Sequence, residues 1–115
     1  MSENKKLLYR QGDVLIQEHN ELPQKDKIKR KKGTILVYGE TSGHTHSLSD
    51  RRTARIFESL SEIEKQVGTL YLEVFAEKAE IIHPEHATII LTSGIYKIWR
   101  QREYDLRGAF RMVID

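Results

Sequence analysis

The sequence predicts a mainly β protein: a small antiparallel β-sandwich or partly closed barrel of seven to eight short strands, with at most one short helix. Apolar and polar residues alternate over short stretches, and turn-forming residues recur between those stretches. The clearest alternation covers residues 69–75, where Leu70, Leu72 and Val74 fall on one face of a strand. A chain of 115 residues has the size of one domain, so we expect a single domain over residues 1–115.

The remaining strands are predicted from short runs rich in β-branched residues. These runs cover residues 14–17, 34–38, 55–57, 79–83, 87–91, 95–99 and 112–114. Turn signals separate them, for example the pair Ser93-Gly94 between the last two runs of the central region. A short helical pattern covers residues 59–66, where Ser59 and Glu62 have the spacing of a capping box.

The composition excludes several classes of site. The chain has no cysteine, which excludes a disulfide framework, a thiol nucleophile and a zinc-finger cluster. Any metal would therefore be held by histidine and carboxylate side chains. No stretch approaches the ~20 apolar residues that span a bilayer, and residues 1–6 lead into no apolar signal core. We expect a soluble, cytoplasmic protein with no membrane partner.

Positive charge is concentrated in residues 25–32. This block holds six basic side chains and one acidic side chain, although the whole chain has a net charge of only +2. Such a block is typically a solvated loop or hairpin arm, which is the first interpretation. The functional alternative is a rim that attracts phosphate groups, because concentrated positive charge steers polyanions.

Four of the five histidines fall in two close pairs. His44 and His46 are separated by one residue, so on an extended strand they share a face and lie about 7 Å apart. His83 and His86 flank a Pro-Glu dipeptide, and proline suits the second position of a tight turn. Such a turn would bring these two histidines to neighbouring ends of a hairpin, with Glu85 at its tip. We therefore expect the two pairs to line one pocket.

The histidines allow two kinds of chemistry. A His-x-His pair on a strand with a distant histidine is what a cupin-type metal site uses, so His44, His46 and His86 could hold a divalent metal ion. A carboxylate normally completes that set, but residues 47–52 offer only Asp50. Without a metal, imidazoles can act as general base and general acid at a phosphodiester. We expect no cofactor, with a divalent metal ion as the alternative.

Residues 95–104 mix basic and aromatic side chains with apolar ones. The simplest interpretation is an edge strand whose charges face water. The last residues of the segment are harder to explain in this way. Arg102 could bind a phosphate through two parallel hydrogen bonds. Tyr104 could stack on a base, and Glu103 could orient a histidine.

The order of these motifs resembles that of a family of short proteins from bacteria, archaea and phages. The motifs are Gln11-Gly12-Asp13, Gly43-His44-x-His46, Leu70-Tyr71-Leu72, His83-x-Glu85-His86 and Gln101-Arg102-Glu103-Tyr104. The resemblance covers nearly the whole chain. The pattern is also similar to that of small ring nucleases of type III CRISPR defence and their phage-borne counterparts, which cleave cyclic oligoadenylate second messengers. The basic block and residues 50–68 depart from the family pattern.

The resemblance implies a metal-independent phosphodiesterase that cleaves cyclic oligoadenylates by histidine acid–base catalysis. The expected catalytic residues are His44, His46, His86 and Glu103, and the expected substrate-binding residues are Arg10, His83, Glu85, Lys97, Arg102 and Tyr104. A ring with two-fold symmetry would suit a homodimer. Two alternatives stay open: a cupin-like metal-binding protein, and a non-catalytic module that binds nucleic acid or protein.

Overall fold

The computed structural model describes residues 7–38, 43–104 and 110–112, with side chains described as far as Gln101. The strands, in chain order, are β1 Leu8–Gln11, β2 Val14–His19, β3 Ile28–Lys31, β4 Ile35–Tyr38, β5 Thr45–Leu48, β6 Ala54–Ser59, β7 Leu70–His83, β8 His86–Arg100, β9 Arg102–Tyr104 and β10 Phe110–Met112. Helix α1 covers Glu62–Gln66, and a 3-10 turn covers Lys25–Lys27.

Strands β1 to β8 form one antiparallel sheet that curls into a half-barrel, so the mainly β prediction is confirmed. The main path runs β1-β2-β8-β7-β5-β4, and a branch of β6 and β3 joins β7 through β6. The long strand β7 is shared between the two branches. Its first half pairs with β6, and its last residues pair with β5. Strands β9 and β10 pair with each other in a separate hairpin.

One long hairpin of β7 and β8 stands where the sequence predicted four short strands. The strands predicted at residues 69–75 and 79–83 are parts of the single strand β7. Those predicted at residues 87–91 and 95–99 are parts of the single strand β8. The predicted turn at Ser93-Gly94 is wrong, because Gly94 adopts φ +152° within β8 and the ladder shifts register there instead of ending. Such irregularities bend strands. The hairpin curls, and its tip contacts the turn between β1 and β2.

Alternate residues of the strands form the core. The face predicted for residues 69–75 is confirmed, since Leu70, Leu72 and Val74 are all buried. Strand β8 contributes Tyr96 and Ile98 to the core in the same alternating way. Buried polar side chains from the β1–β2 turn and from β5 lie beside this core, and they belong to the candidate site.

Two element predictions need correction. Helix α1 begins later than predicted: Ser61 is its N-cap and accepts a hydrogen bond from the N–H of Glu64, while Ser59 still belongs to β6. Residues 25–31 of the basic block, expected to be a solvated loop or hairpin arm, form the 3-10 turn and strand β3. Strand β3 pairs with β6 rather than with a strand next to it in the chain, and none of its residues is buried. Neither α1 nor any other helix among the described residues is long and apolar enough to cross a membrane.

Candidate functional site

Four histidines come together where β5 begins and where β7 turns into β8. The ring centroid of His83 lies 4.4 Å from that of His46, 4.5 Å from that of His86 and 5.7 Å from that of His44. The rings of His46 and His86 are 6.3 Å apart and nearly parallel, at 11°. The structure thus brings the two predicted pairs into one group, here called the histidine cluster.

The β7–β8 turn places His83 and His86 side by side. They are a register pair across the hairpin, and Pro84 and Glu85 form the two-residue turn between them. Both turn residues have negative φ, a geometry whose twist does not match that of the flanking strands. The ladder then shifts register between Ile81 and His83. This β-bulge accommodates the mismatch and sets the direction of the side chains near the tip.

The buried side chain of Gln11 holds this bulge in place. Its Nε2 donates hydrogen bonds to the backbone oxygens of Ile81, at 3.1 Å, and Ala87, at 2.8 Å. With Nε2 committed to two carbonyls, the Oε1 atom accepts a hydrogen bond from Nδ1 of His46 at 2.8 Å. One amide therefore fastens the hairpin tip to the β1–β2 turn and fixes the tautomer of His46 with its proton on Nδ1.

A buried ion pair lies behind His46. The His46 side chain is 1% exposed, and its Nε2 is 4.0 Å from Oδ1 of Asp13. Oδ2 of Asp13 accepts two hydrogen bonds from Arg100, at 3.1 Å from Nε and 2.8 Å from an Nη atom. A carboxylate that is 2% exposed needs such a partner, because an unpaired buried charge is costly. The His46 side chain therefore lies between Gln11 and Asp13 with little access to solvent.

The partly exposed histidines differ in their hydrogen-bond surroundings. Nδ1 of His83 accepts a hydrogen bond from the backbone N–H of Glu85 at 3.0 Å, so the neutral ring carries its proton on Nε2. Nδ1 of His44 lies 3.5 Å from Oε1 of Glu85, which is an ion-pair distance. A carboxylate beside Nδ1 favours the tautomer protonated there and leaves Nε2 of His44 as the proton acceptor.

A cavity of about 270 Å³ opens beside His83. Its other walls are Thr45 and Ser47 from β5, together with Ile82 and Pro84 from the hairpin. This volume is near the lower end of the range for small-molecule sites. The cavity therefore has room for a base or a phosphate–ribose fragment next to an imidazole.

The rings do not form an obvious metal site. Within residues 7–38, 43–104 and 110–112, no group of three or more histidine and acidic residues is placed to hold a metal ion. His46 has its Nδ1 proton bonded to Gln11, and its Nε2 faces Asp13 inside the protein. His46 could join His44 and His86 around a metal only if this buried network were rearranged.

One protein family matches the part of the chain that contains this site. A family described as "Domain of unknown function (DUF8820)" matches residues 10–101. The chain belongs to this family. The DUF8820 match includes the whole histidine cluster together with Gln11, Asp13 and Arg100. No curated protein and no solved structure matches the sequence.

Two other predicted site residues occupy different places in this DUF8820 chain. Arg10 precedes Gln11 on strand β1, and its exposed guanidinium donates to the backbone oxygen of Gly12 at 3.2 Å. Lys97 lies elsewhere. Its Nζ is 3.2 Å from a carboxylate oxygen of Glu64, in a cavity of about 470 Å³ that none of the four histidines lines.

Arg102, Glu103 and Tyr104 form strand β9, just beyond the DUF8820 match. Their side chains lie outside the described part of the structure, so the roles expected of them stay predictions. The backbone before them is close to the site, because the N–H of Gln101 donates to the carbonyl of Asp13 at 2.8 Å.

Sequence reasoning assigned no role to three residues that build the site: Gln11, Asp13 and Arg100. Gln11 and Arg100 end strands β1 and β8, and Asp13 lies in the turn before β2. At such positions a sequence pattern cannot distinguish solvent from a buried partner. One signal was present. Asp13, just before β2, and Arg100, at the end of β8, carry opposite charges, and these two strands pair in the structure. That pairing cannot be inferred from a single sequence.

Proposed function

We propose that this DUF8820 protein is a metal-independent phosphodiesterase whose histidine cluster cleaves cyclic oligoadenylates. The position of His83 carries the proposal. Its ring neighbours the rings of both His44 and His86, and the N–H of Glu85 fixes its Nδ1. A phosphate bound at Nε2–H of His83 would have one imidazole available as base and another as acid.

His44 is the proposed general base. It would take the proton of the ribose 2′-hydroxyl on Nε2, and O2′ would then attack the neighbouring phosphorus. The resulting imidazolium would be stabilised by Glu85, whose Oε1 is 3.5 Å from Nδ1 of His44. A carboxylate in this position orients the ring.

His86 is the proposed general acid. As the 2′,3′-cyclic phosphate forms, the bond between phosphorus and O5′ breaks, and O5′ takes a proton from the His86 imidazolium. His83 has a different part, because its Nδ1 already accepts a hydrogen bond. Its Nε2–H would donate to a non-bridging phosphate oxygen, where negative charge develops.

The substrate class rests on the resemblance and on the size of the site. The cavity beside His83 has room for one base or one phosphate–ribose unit, so a larger ring would place one of its linkages there at a time. Arg10, on strand β1 next to Gln11, is exposed and can attract the remaining phosphates.

Alanine variants test these roles. We expect His44→Ala and His86→Ala each to lower the rate of cleavage of labelled cyclic tri-, tetra- or hexa-adenylate by about 10²–10⁴-fold. The folded structure should survive, because neither side chain belongs to the core cluster. His19→Ala is the matched control, since His19 packs near Tyr71, with 5.6 Å between ring centroids, and lies outside the histidine cluster.

The rate should be measured with circular dichroism spectra of each variant beside it. Wild-type rates in both His44→Ala and His86→Ala would refute the proposed roles. Absence of cleavage of all three rings by the wild-type protein would refute the substrate class.

A further inference from the structure

A second cavity, of about 400 Å³, lies where β3, β6 and the turn after α1 meet. None of the four clustered histidines lines it. Three lysines do, namely Lys29, Lys31 and Lys65, and we call it the lysine cavity. Lys29 and Lys31 belong to the basic block of residues 25–32, which has no role in the proposed phosphodiesterase mechanism.

The fold directs these lysines to one place. Lys29 and Lys31 are separated by one residue on strand β3, so their side chains leave the same face of the sheet. Among the described residues β3 pairs with β6 alone, which leaves its other side open. Lys65 reaches the cavity from α1, on the other wall.

The charge of the lining is positive. Three ammonium groups face one carboxylate, that of Glu58, which stands opposite Lys29 in the β3–β6 ladder. Lys65 has a long contact of 3.8 Å with Glu62, whose side chain is solvent-exposed. Within the described part of the chain, no ion pair within 4.0 Å involves Lys29 or Lys31.

A buried hydroxyl adds an independent observation. Thr69 lies between the lysine cavity and the cavity of about 470 Å³ around Lys97, lines both, and is only 4% exposed. Its Oγ1 has no hydrogen-bond partner among the described residues. A buried polar group left in this state costs about 1–3 kcal/mol. An oxygen of a ligand that accepts the hydroxyl proton would remove this cost.

We infer that the lysine cavity binds a phosphate-bearing ligand of nucleoside monophosphate size. Lysine is a common phosphate binder in proteins, and the volume is within the range of small-molecule sites. Leu36, Leu60 and Leu70 line the remainder and offer an apolar surface for the organic part of the ligand. The inference goes beyond the proposed phosphodiesterase and does not require the histidine cluster to be catalytic.

Binding to the full chain can be followed by backbone amide shifts in NMR. The probes are adenosine monophosphate, inorganic phosphate and adenosine. We expect adenosine monophosphate to shift the amides of Lys29, Lys31 and Thr69, inorganic phosphate to bind more weakly at the same amides, and adenosine to leave them unchanged. The His86→Ala variant should give the same shifts, which separates this site from the histidine cluster.

Two triple variants with equal charge changes distinguish a local site from general attraction. Lys29→Gln/Lys31→Gln/Lys65→Gln should weaken binding of adenosine monophosphate at least about tenfold, which corresponds to the loss of about 1.4 kcal/mol of charge-assisted contact. The control is Lys27→Gln/Lys32→Gln/Lys78→Gln, whose lysines are exposed and do not line the cavity. It should stay within about twofold of wild type.

The single variant Thr69→Val keeps all lysines and should still weaken binding, through loss of the hydroxyl. Equal weakening by the two triple variants would overturn the inference, because it would indicate long-range attraction alone. Binding of adenosine as tight as that of adenosine monophosphate would also overturn it. So would the absence of shifts with all three probes, as expected if Lys29 and Lys31 only protect the open edge of β3 from pairing.

Discussion

Asp13 and Arg100 show, at the scale of single residues, how the histidine cluster is supported. The Asp13 carboxylate is buried, accepts two hydrogen bonds from Arg100, and lies 4.0 Å from His46. His46 in turn donates to Gln11. The partly exposed histidines therefore lie against a connected network of buried polar side chains, in which each member fixes the orientation of the next.

Removal of one partner from this ion pair should be strongly destabilising. Arg100→Met keeps the length of the side chain but leaves the Asp13 carboxylate buried without its cation. We expect a loss of about 3–5 kcal/mol in the free energy of unfolding, measured by urea denaturation. The control is Arg55→Met, because Arg55 pairs with Glu73 at a more exposed position and should cost under about 1 kcal/mol. Equal losses in the two variants would contradict the importance of the buried pair.

A second polar network surrounds Glu64. Its carboxylate accepts hydrogen bonds from Ser59, at 2.6 Å, and Tyr71, at 3.0 Å, and lies 3.2 Å from Nζ of Lys97. Burial alone would raise the pKa of Glu64, but these hydrogen bonds and the Lys97 charge hold its pKa below the usual value. Burial, followed by the contact with Glu64, raises the pKa of Tyr71 to about 12.

This network predicts a loss of stability at high pH. The ordinary pKa of tyrosine is 10.0, and that of Tyr71 in the folded chain is about 12. The protonated phenol therefore stabilises the fold fully below about pH 10, and this contribution is lost as the pH rises toward 12. We expect the unfolding free energy of Tyr71→Phe to fall less steeply between pH 10 and 12 than that of the wild type.

Urea denaturation at a series of pH values measures these slopes. Tyr38→Phe is the control, because Tyr38 is 62% exposed. This variant should follow the wild-type curve. If the unfolding free energy of Tyr71→Phe fell between pH 10 and 12 as steeply as that of the wild type, titration of the Tyr71 phenol would not be linked to stability.

At the scale of elements, the β7–β8 hairpin determines the site. Two irregularities shape it: a register shift beside Gly94, where the strands bend, and a bulge beside the tip. Gln11 bonds to two carbonyls at that bulge and so holds the tip against the β1–β2 turn. His83 and His86 thereby stay in contact with His46, which is carried by β5.

Gln11→Met should loosen the hairpin tip. Methionine has a similar length but donates no hydrogen bond, so the carbonyls of Ile81 and Ala87 and the Nδ1–H of His46 would lose a partner. We expect a cost of about 1–3 kcal/mol and faster hydrogen exchange of the amides around Ala87. Amides at the other end of the hairpin, in residues 70–74, should change less.

Gln17→Met is the matched control, because Gln17 is half-buried on β2 and stands opposite Lys97 in the β2–β8 ladder, away from the hairpin tip. This variant should leave exchange near Ala87 at the wild-type rate. Uniform acceleration along the whole hairpin in Gln11→Met would mean that Gln11 stabilises the fold globally rather than its tip.

The sequence predicts those elements that have a strong local pattern. It does not predict elements whose structure depends on pairing with a strand distant in the chain. The alternation at Leu70, Leu72 and Val74 identified a strand correctly. Strand β3 has no such alternation of apolar residues, and its structure depends on pairing with β6, which no local pattern encodes. The sequence predicts a turn at Gly94 because glycine is common in turns, whereas in the structure this glycine permits a positive φ inside a strand.

The same limit applies to the site. The spacing of the histidines predicts two pairs and a turn at Pro84. The structure has His83 and His86 on either side of that turn, His46 in β5 and His44 just before β5. Their convergence depends on the curl of the sheet and on Gln11, which are properties of the tertiary structure. The burial of His46 likewise depends on the strands packed around it, so its spacing to His44 could not reveal that the two differ in depth.

At the scale of the whole molecule, the half-barrel brings two regions of different chemistry into one small protein. The histidine cluster lies at the tip of the β7–β8 hairpin, and the lysine cavity lies beside the β3–β6 branch. The described sheet ends in β1 and β4, with β3 at the end of the branch, so its edges can receive a further strand. The homodimer expected from the sequence stays a prediction.

Cleavage of cyclic tetra-adenylate in excess EDTA, with analysis of the product ends, tests the central proposal most directly. The account predicts cleavage at the rate seen without EDTA, a linear product that carries a 2′,3′-cyclic phosphate and a 5′-hydroxyl, and no cleavage of a 2′-deoxy ring. Loss of activity in EDTA that added divalent metal restores, or product with a 5′-phosphate, would contradict catalysis by the histidine cluster alone.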